Sequence, residues 1–123
     1  MLAIHRGVYF NTENLALTFV KMLIVGIVEE TVFRGFGYNA LCKITSNKIA
    51  MILSSLMFAL VHCPAYIIKC VLYGSFDIGG MFAQCSIAFL LGFLFCALLR
   101  KKKSLWFPII AHSYYDLLSF LLI

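Results

Sequence analysis

The chain has 123 residues, of which 63% are hydrophobic and 12% are charged, and its formal net charge is +5. This composition excludes an ordinary soluble domain, because one domain of this length could not bury so much apolar surface, whereas a lipid bilayer can accommodate it. It also argues against nucleic-acid binding, since the basic residues lie between hydrophobic stretches and form no patch interleaved with aromatic side chains.

Four hydrophobic segments follow a polar N-terminal stretch over residues 1–14. They run from about Leu15 to Cys42, Ile49 to Tyr73, Ile78 to Leu99 and Leu105 to Ile123. Each is long enough for a helix across a hydrocarbon core of ~30 Å, and helices are expected because backbone groups in lipid must be satisfied within the segment. The sequence therefore predicts an all-α fold, a multi-pass transmembrane bundle of about four helices, with one core over residues 15–123.

Turn and cap residues divide these segments further. Pro64 is expected to end or kink the second helix and to leave Ala65–Tyr73 as a separate short helix. Asn47 and Ser104 are predicted to cap the second and fourth helices. The Gly-Ser-Phe-Asp sequence at 74–77 is typical of a turn into the third segment.

The basic residues predict an orientation. Lys43 and Lys48 flank the first connection, and Arg100–Lys103 fills the third. In a bundle with four crossings these two loops lie on one face, and the positive-inside bias makes that face cytoplasmic, with both termini outside.

Three short polar patterns interrupt the apolar segments. They are Glu29-Glu30-x-x-x-Arg34, Phe58-x-x-x-His62 and His112-x-x-x-Asp116. Ionisable groups inside a membrane are tolerated mainly where they face a bundle core, pair with one another or do chemistry. At ~1.5 Å per residue, Glu29, His62 and Asp116 each lie about 20 Å from the basic residue at the end of their helix. This similar depth predicts one shared polar site.

The first pattern predicts different roles for its two adjacent carboxylates. Glu30 and Arg34 are four residues apart and share a helix face, so an ion pair between them is expected to support the site. Glu29 is rotated by roughly 100° and can point to another neighbour, which suits a general base acting on water. The alternative is a single structural charge cluster of all three residues.

The other two patterns supply imidazole groups. His62 lies one turn after Phe58 and, at the depth of Glu29, could help to orient and deprotonate a water molecule or hold a metal ion. His112 and Asp116 share a face, and either they stabilise an oxyanion or His112 joins Glu29 and His62 as a metal ligand. Each histidine could instead be an ordinary hydrogen-bonded core residue.

The five cysteines are predicted to be small hydrophobic residues, without disulfides or bound metal, since they are scattered and contain no CxxC pair. They are Cys42, Cys63, Cys70, Cys85 and Cys96.

The sequences EETVFRG, FALVH and HSYYD, in this order on successive hydrophobic segments, resemble the three signature motifs of the CPBP family. This family includes CAAX prenyl proteases and bacteriocin-processing or immunity-associated membrane proteins, and the resemblance covers about Val25 to Leu118. It implies a helical intramembrane endopeptidase.

The resemblance also implies roles for individual residues. Glu29 and His62 would activate the water molecule, and His112 and Asp116 would hold the oxyanion, with Glu30 and Arg34 in support. The implied cofactor is either none or one divalent metal such as zinc, for which Glu29, His62 and His112 would be the ligands.

Two departures from the family pattern affect these expectations. Family members usually carry further membrane helices before the first motif, so the chain is expected to be a truncated copy, a minimal core or a subunit of an oligomer. The third motif ends in Asp116, where asparagine is the other common choice. An ionised aspartate would repel an oxyanion, so Asp116 is expected to be protonated or to orient His112 or a metal.

The leading hypothesis is an intramembrane endopeptidase in a bacterial cell membrane, acting in peptide maturation or bacteriocin self-immunity. Its expected partners are the lipid bilayer, a peptide or protein substrate that enters from the membrane, and a second copy of the chain in a homo-oligomer. The alternatives are a non-catalytic immunity or partner-binding protein and a small ion or metal transporter.

Overall fold

The computed structural model describes residues 15–121, and all regular structure within them is helical. The elements are α1 (Leu15–Glu30), a π-helical stretch (Thr31–Tyr38), α2 (Asn39–Cys42), α3 (Asn47–Leu60), α4 (Cys63–Tyr73), α5 (Ile78–Lys102) and α6 (Trp106–Leu121). The predicted all-α fold is confirmed. The polar stretch 1–14 and the last two residues of the fourth segment lie outside the described part of the chain.

The first hydrophobic segment is one continuous helical run with a π-helical stretch in its middle. The run covers residues 15–42, as predicted, and the π-helical residues begin directly after Glu30. π-helical stretches are rare in proteins, and many of those that are found lie at functional sites. Glu30, Arg34 and Tyr38 follow one another at intervals of four residues, and all three side chains are buried. This stretch therefore presents one continuous face to the other helices.

The second hydrophobic segment is broken, as the proline predicts. α3 ends at Leu60 and α4 begins at Cys63, so His62 lies in the turn between them. Pro64 falls in the first turn of α4, where its missing N–H has no helical partner to lose. The break places a histidine at a helix junction instead of in a helix interior.

Both predicted N-caps are corrected. Ser46 caps α3, because its Oγ accepts a hydrogen bond from the backbone N–H of Ile49 at 3.4 Å, and Asn47 is already helical. Ser104 lies two residues before the first residue of α6. The predicted turn at 74–77 is confirmed: Gly74 adopts a left-handed conformation (φ +68°) that ends α4. Asp77 then accepts from the N–H of Gly80 at 2.9 Å to begin α5.

The helices pack in two pairs joined through α5. α3 packs along α5, α1 packs along α6, and α5 also contacts α6 and the π-helical stretch. Two buried clusters lie between α3 and its neighbours, one around Tyr38, Met51 and Cys96 and the other around Phe58 and Ala88.

Large apolar side chains remain exposed on the outer surface of every long helix, for example Phe19, Leu56, Phe82 and Phe107. Such a surface suits lipid better than water. Within residues 15–121, two helical runs are long and apolar enough to cross a membrane, Asn47–Tyr73 and Ile78–Lys102.

Candidate active site

The polar residues of the first and third patterns meet where α1 lies against α6. The two helices approach closely because position 26 is glycine: a Cβ there would collide with Ser113 Oγ and would lie 3.2 Å from the carbonyl oxygen of Ile109. This contact brings the end of α1, with Glu29 and Glu30, to the face of α6 that carries His112 and Asp116.

Glu30 and Arg34 form the ion pair that their spacing predicts. Arg34 Nη1 donates to Glu30 Oε1 at 3.1 Å, and both side chains are completely buried. The guanidinium group also lies over the rings of Phe58 and Phe95, at 4.4 and 5.4 Å from their centroids. These cation–π contacts stabilise a charge that has little access to water.

A glycine on α5 makes room for this guanidinium group. A Cβ at Gly92 would lie 2.6 Å from Arg34 Nη2 and 3.2 Å from Ser55 Cα. The position of Arg34 therefore depends on a missing side chain on a neighbouring helix.

His112 is the centre of the cluster. Its Nδ1–H donates to Glu30 Oε1 at 2.6 Å. Its Nε2 lies 3.4 Å from Glu29 Oε2 and 3.3 Å from Asp116 Oδ2. The ring stacks on Phe95, with 5.2 Å between centroids and 17° between planes. Carboxyl groups at both ring nitrogens and an aromatic ring on one face thus fix the orientation of this imidazole.

The charges of the cluster limit its protonation states. With a proton on Nδ1, a neutral His112 would present a lone pair on Nε2 to two carboxyl groups. The contacts are favourable when Nε2 also carries a proton or when Glu29 or Asp116 is protonated. The cluster holds three carboxyl groups but only two side chains that can carry a positive charge, Arg34 and His112. If the cluster is neutral overall, one of the carboxyl groups must therefore be protonated.

His62 lies at the edge of this cluster, not within it. Its Nδ1–H donates to the carbonyl oxygen of Phe58 at 2.9 Å, which leaves Nε2 as an acceptor. The rings of His62 and His112 both make edge contacts with the ring of Phe58, at centroid distances of 5.2 and 5.5 Å. Phe58 is thus the aromatic link between the two imidazoles.

A small cavity connects His62 to the cluster. Its volume is about 80 Å³, which is room for at least one water molecule, since a water needs roughly 15 Å³ by this measure. His62, Gln84, His112, Tyr115 and Asp116 provide its polar lining. A water molecule there would lie between the His62 imidazole and the carboxylate-bound imidazole of His112.

Glu29 and His62 are not in direct contact, and their joint action on a water molecule stays a prediction. Within residues 15–121, no carboxylate oxygen lies within 4.0 Å of a His62 ring nitrogen, and the imidazole paired with Glu29 is that of His112. The reason is local: the turn at 61–62 carries His62 off the end of α3, while the Phe58 ring packs against the cluster. Glu29 is connected to the cavity through His112 Nε2.

The alternative metal site does not fit the arrangement. Among the described residues, no three His, Cys, Asp or Glu side chains are placed to hold a metal ion, and this includes the expected set of Glu29, His62 and His112. Both nitrogens of His112 are turned towards carboxyl groups, so the ring has no free lone pair directed at a shared centre with His62.

Several residues of the site were missed by sequence reasoning. Gly26, Gly92 and Phe95 occur in apolar runs where nothing distinguishes them from ordinary lipid-facing or packing residues. Gln84 did carry a signal, because it is an amide in an otherwise apolar helix. Its Oε1 accepts from the Tyr66 hydroxyl at 2.6 Å, and the residue lines the same cavity as His62.

Comparison with known proteins identifies one family. The family model described as Type II CAAX prenyl endopeptidase Rce1-like matches residues 11–118. No curated protein and no solved structure matches the chain.

Proposed function

The chain belongs to the Rce1-like family of type II CAAX prenyl endopeptidases, and we propose that it is an intramembrane endopeptidase that hydrolyses a peptide bond without a metal. The observation that carries the proposal is the carboxylate-bound imidazole of His112, which contacts Glu29 through Nε2 and lines a cavity together with His62.

The first chemical step is attack of water on the substrate carbonyl. The water molecule is oriented by the free Nε2 of His62, and Glu29, whose side chain is one-third exposed, accepts its proton as the new C–O bond forms. The developing oxyanion is stabilised by the Nε2–H of protonated His112. The oxyanion then re-forms the C=O bond as the C–N bond breaks, Glu29 gives its proton to the leaving amine, and Glu29 is again a carboxylate.

The remaining polar residues position His112. Glu30 holds Nδ1 and Asp116 faces Nε2, so the orientation of the imidazole is fixed. In this assignment Asp116 carries the one proton that the charge balance leaves to the carboxyl groups, so it does not repel the oxyanion. Arg34 neutralises Glu30 and completes the support.

The substrate is proposed to reach the site from the membrane. A groove of about 550 Å³ lies between α3, α4 and α5, with an almost entirely apolar lining that includes Leu60, Phe82 and Phe89. It is wide enough for an apolar stretch of a peptide or for a lipid chain attached to one. The proposal further includes four membrane crossings in a bacterial cell membrane and assembly into a homo-oligomer. The proposed role is in peptide maturation or bacteriocin self-immunity.

The deciding experiment is the Glu29→Gln variant of the purified chain in detergent. The substrates are a fluorogenic peptide that ends in a farnesylated CAAX sequence and unmodified bacteriocin-precursor peptides. Loss of a general base lowers kcat by about 10²–10⁴-fold, with the protein still folded and helical. Asp77→Asn is the matched control, because asparagine also caps a helix and position 77 lies outside the cluster. Full activity of Glu29→Gln would refute the assignment.

A non-catalytic membrane protein is the second candidate function. It is favoured by the contacts of His112, since both of its ring nitrogens already face carboxyl groups, those of Glu29, Glu30 and Asp116, without a substrate. The two candidates separate in cells: a Glu29→Gln protein that still confers a phenotype such as bacteriocin immunity supports the second, and loss of the phenotype supports the protease.

A further inference from the structure

Two cysteines are in contact across the interface between α4 and α5. Cys63 is the first residue of α4 and Cys85 lies in the second turn of α5, and their Sγ atoms are 3.5 Å apart. Both are free thiols and both are only partly buried. They line the apolar groove of about 550 Å³, from which a small uncharged oxidant can reach them.

We propose that Cys63 and Cys85 form a redox-active pair that closes to a disulfide when a peroxide oxidises the protein. A disulfide requires the sulfur atoms to approach to about 2.05 Å, so they must move together by roughly 1.5 Å. α4 can supply this movement, since it is short and is joined to α3 through the two-residue turn at 61–62. α5 is the helix that α4 packs against.

The chemistry balances with hydrogen peroxide as the oxidant. One thiol, as its thiolate, attacks a peroxide oxygen, so an S–O bond forms, the O–O bond breaks and hydroxide leaves to become water. The second thiol attacks the resulting sulfenic acid, the S–S bond forms, and the S–O bond breaks with release of a second water. The two thiols lose two electrons and two protons in total, and the peroxide is reduced to two water molecules.

The bond would act on the walls of the candidate site. Cys63 directly follows His62 in the chain, and Cys85 directly follows Gln84, and both of these neighbours line the cavity beside His112. In the reduced form, Cys85 donates a hydrogen bond to the carbonyl oxygen of Ala59 on α3 at 3.5 Å, which the disulfide would abolish. Oxidation would therefore lock α4 onto α5 and release one contact between α5 and α3.

The test treats the full-length chain in detergent with hydrogen peroxide and counts free thiols after denaturation. The wild-type count should fall from five by two, to three, with the intact mass lower by two hydrogen atoms and full recovery after dithiothreitol. Peptide mapping should place the bond between residues 63 and 85.

Matched variants make the outcome specific. Cys63→Ser and Cys85→Ser should not lose two thiols together with two hydrogen atoms of mass, whereas Cys70→Ser, on the same helix as Cys63, should still do so. Cys63→Ala is a second variant in case serine at that position disturbs folding. A wild-type thiol count that stays at five, oxygen addition in place of the bond, or a disulfide mapped to another pair or between two chains would overturn the proposal.

Discussion

At the scale of single residues, the candidate site depends on one imidazole and its carboxylate neighbours. His112 contacts Glu30 through one nitrogen and both Glu29 and Asp116 through the other. The Glu30–Arg34 pair beside it is completely buried. A buried pair of this kind contributes little net stability, but removing one partner is expensive because the other charge remains without compensation.

This asymmetry gives a prediction for a double-mutant cycle. Arg34→Met leaves the buried Glu30 carboxylate with His112 as its remaining partner, and it should lower the free energy of unfolding by about 3–5 kcal/mol. Adding Glu30→Gln to Arg34→Met should recover part of this loss, because the uncompensated charge is removed. Denaturant titration of the purified protein, followed by circular dichroism, measures both values. Equal stability of the single and double variants would contradict an ion pair at this position.

At the scale of helices, close packing between elements places the site residues. Gly26 lets α1 approach α6, and Gly92 lets Arg34 lie between α3 and α5. In an exposed helix interior, replacing glycine by alanine is usually stabilising, by roughly 1 kcal/mol. At position 92 the added methyl group would press on a guanidinium group that has backbone and aromatic atoms around it, so overpacking should dominate.

Gly92→Ala should therefore destabilise the protein, by about 1–3 kcal/mol. Gly79→Ala on the same helix is the matched control, since a Cβ there would lie 3.9 Å from Asp77 Oδ1, an ordinary contact distance. The control should be neutral or slightly stabilising in the same denaturant titration. A Gly92→Ala protein as stable as the control would show that Arg34 can be displaced without penalty.

Periodicity and spacing predicted what depends on neighbours in sequence. The four hydrophobic segments, the break near Pro64 and the pairs at i and i+4, Glu30 with Arg34 and His112 with Asp116, all follow from local geometry. Contacts between helices were harder to predict from the sequence. The i,i+4 spacing of Phe58 and His62 correctly places their rings together, but it does not reveal that Phe58 also packs against His112 and links the two imidazoles.

At the scale of the whole molecule, the charge distribution and the exposed apolar surface predict how the chain lies in a bilayer. The loop near Thr45 and the basic loop at Lys103 should both face the cytoplasm, and the turn at Ser75 should face outward. Two helical runs, Asn47–Tyr73 and Ile78–Lys102, have the length and composition to connect these faces.

This orientation predicts a labelling pattern for single cysteines in a cysteine-free background. Ser75→Cys should react with a membrane-impermeant maleimide added to intact cells, whereas Thr45→Cys and Lys103→Cys should react only after the membrane is permeabilised. All three sites lie in loops between the helices, with Ser75 and Lys103 exposed and Thr45 partly buried, so each variant is compared with itself before and after permeabilisation. Reaction of Thr45→Cys and Lys103→Cys from opposite sides would contradict four crossings.

The π-helical stretch has a consequence for how this sequence can vary through evolution. Substitutions at its outward-facing positions, such as Val32 and Phe36, leave the buried face of Arg34 and Tyr38 intact and should be tolerated. Loss of one codon between Thr31 and Phe33 is a different matter, because it would shorten the four-residue spacing that pairs Glu30 with Arg34. Homologues are therefore expected to drift freely in residue type along this stretch while its length stays constant.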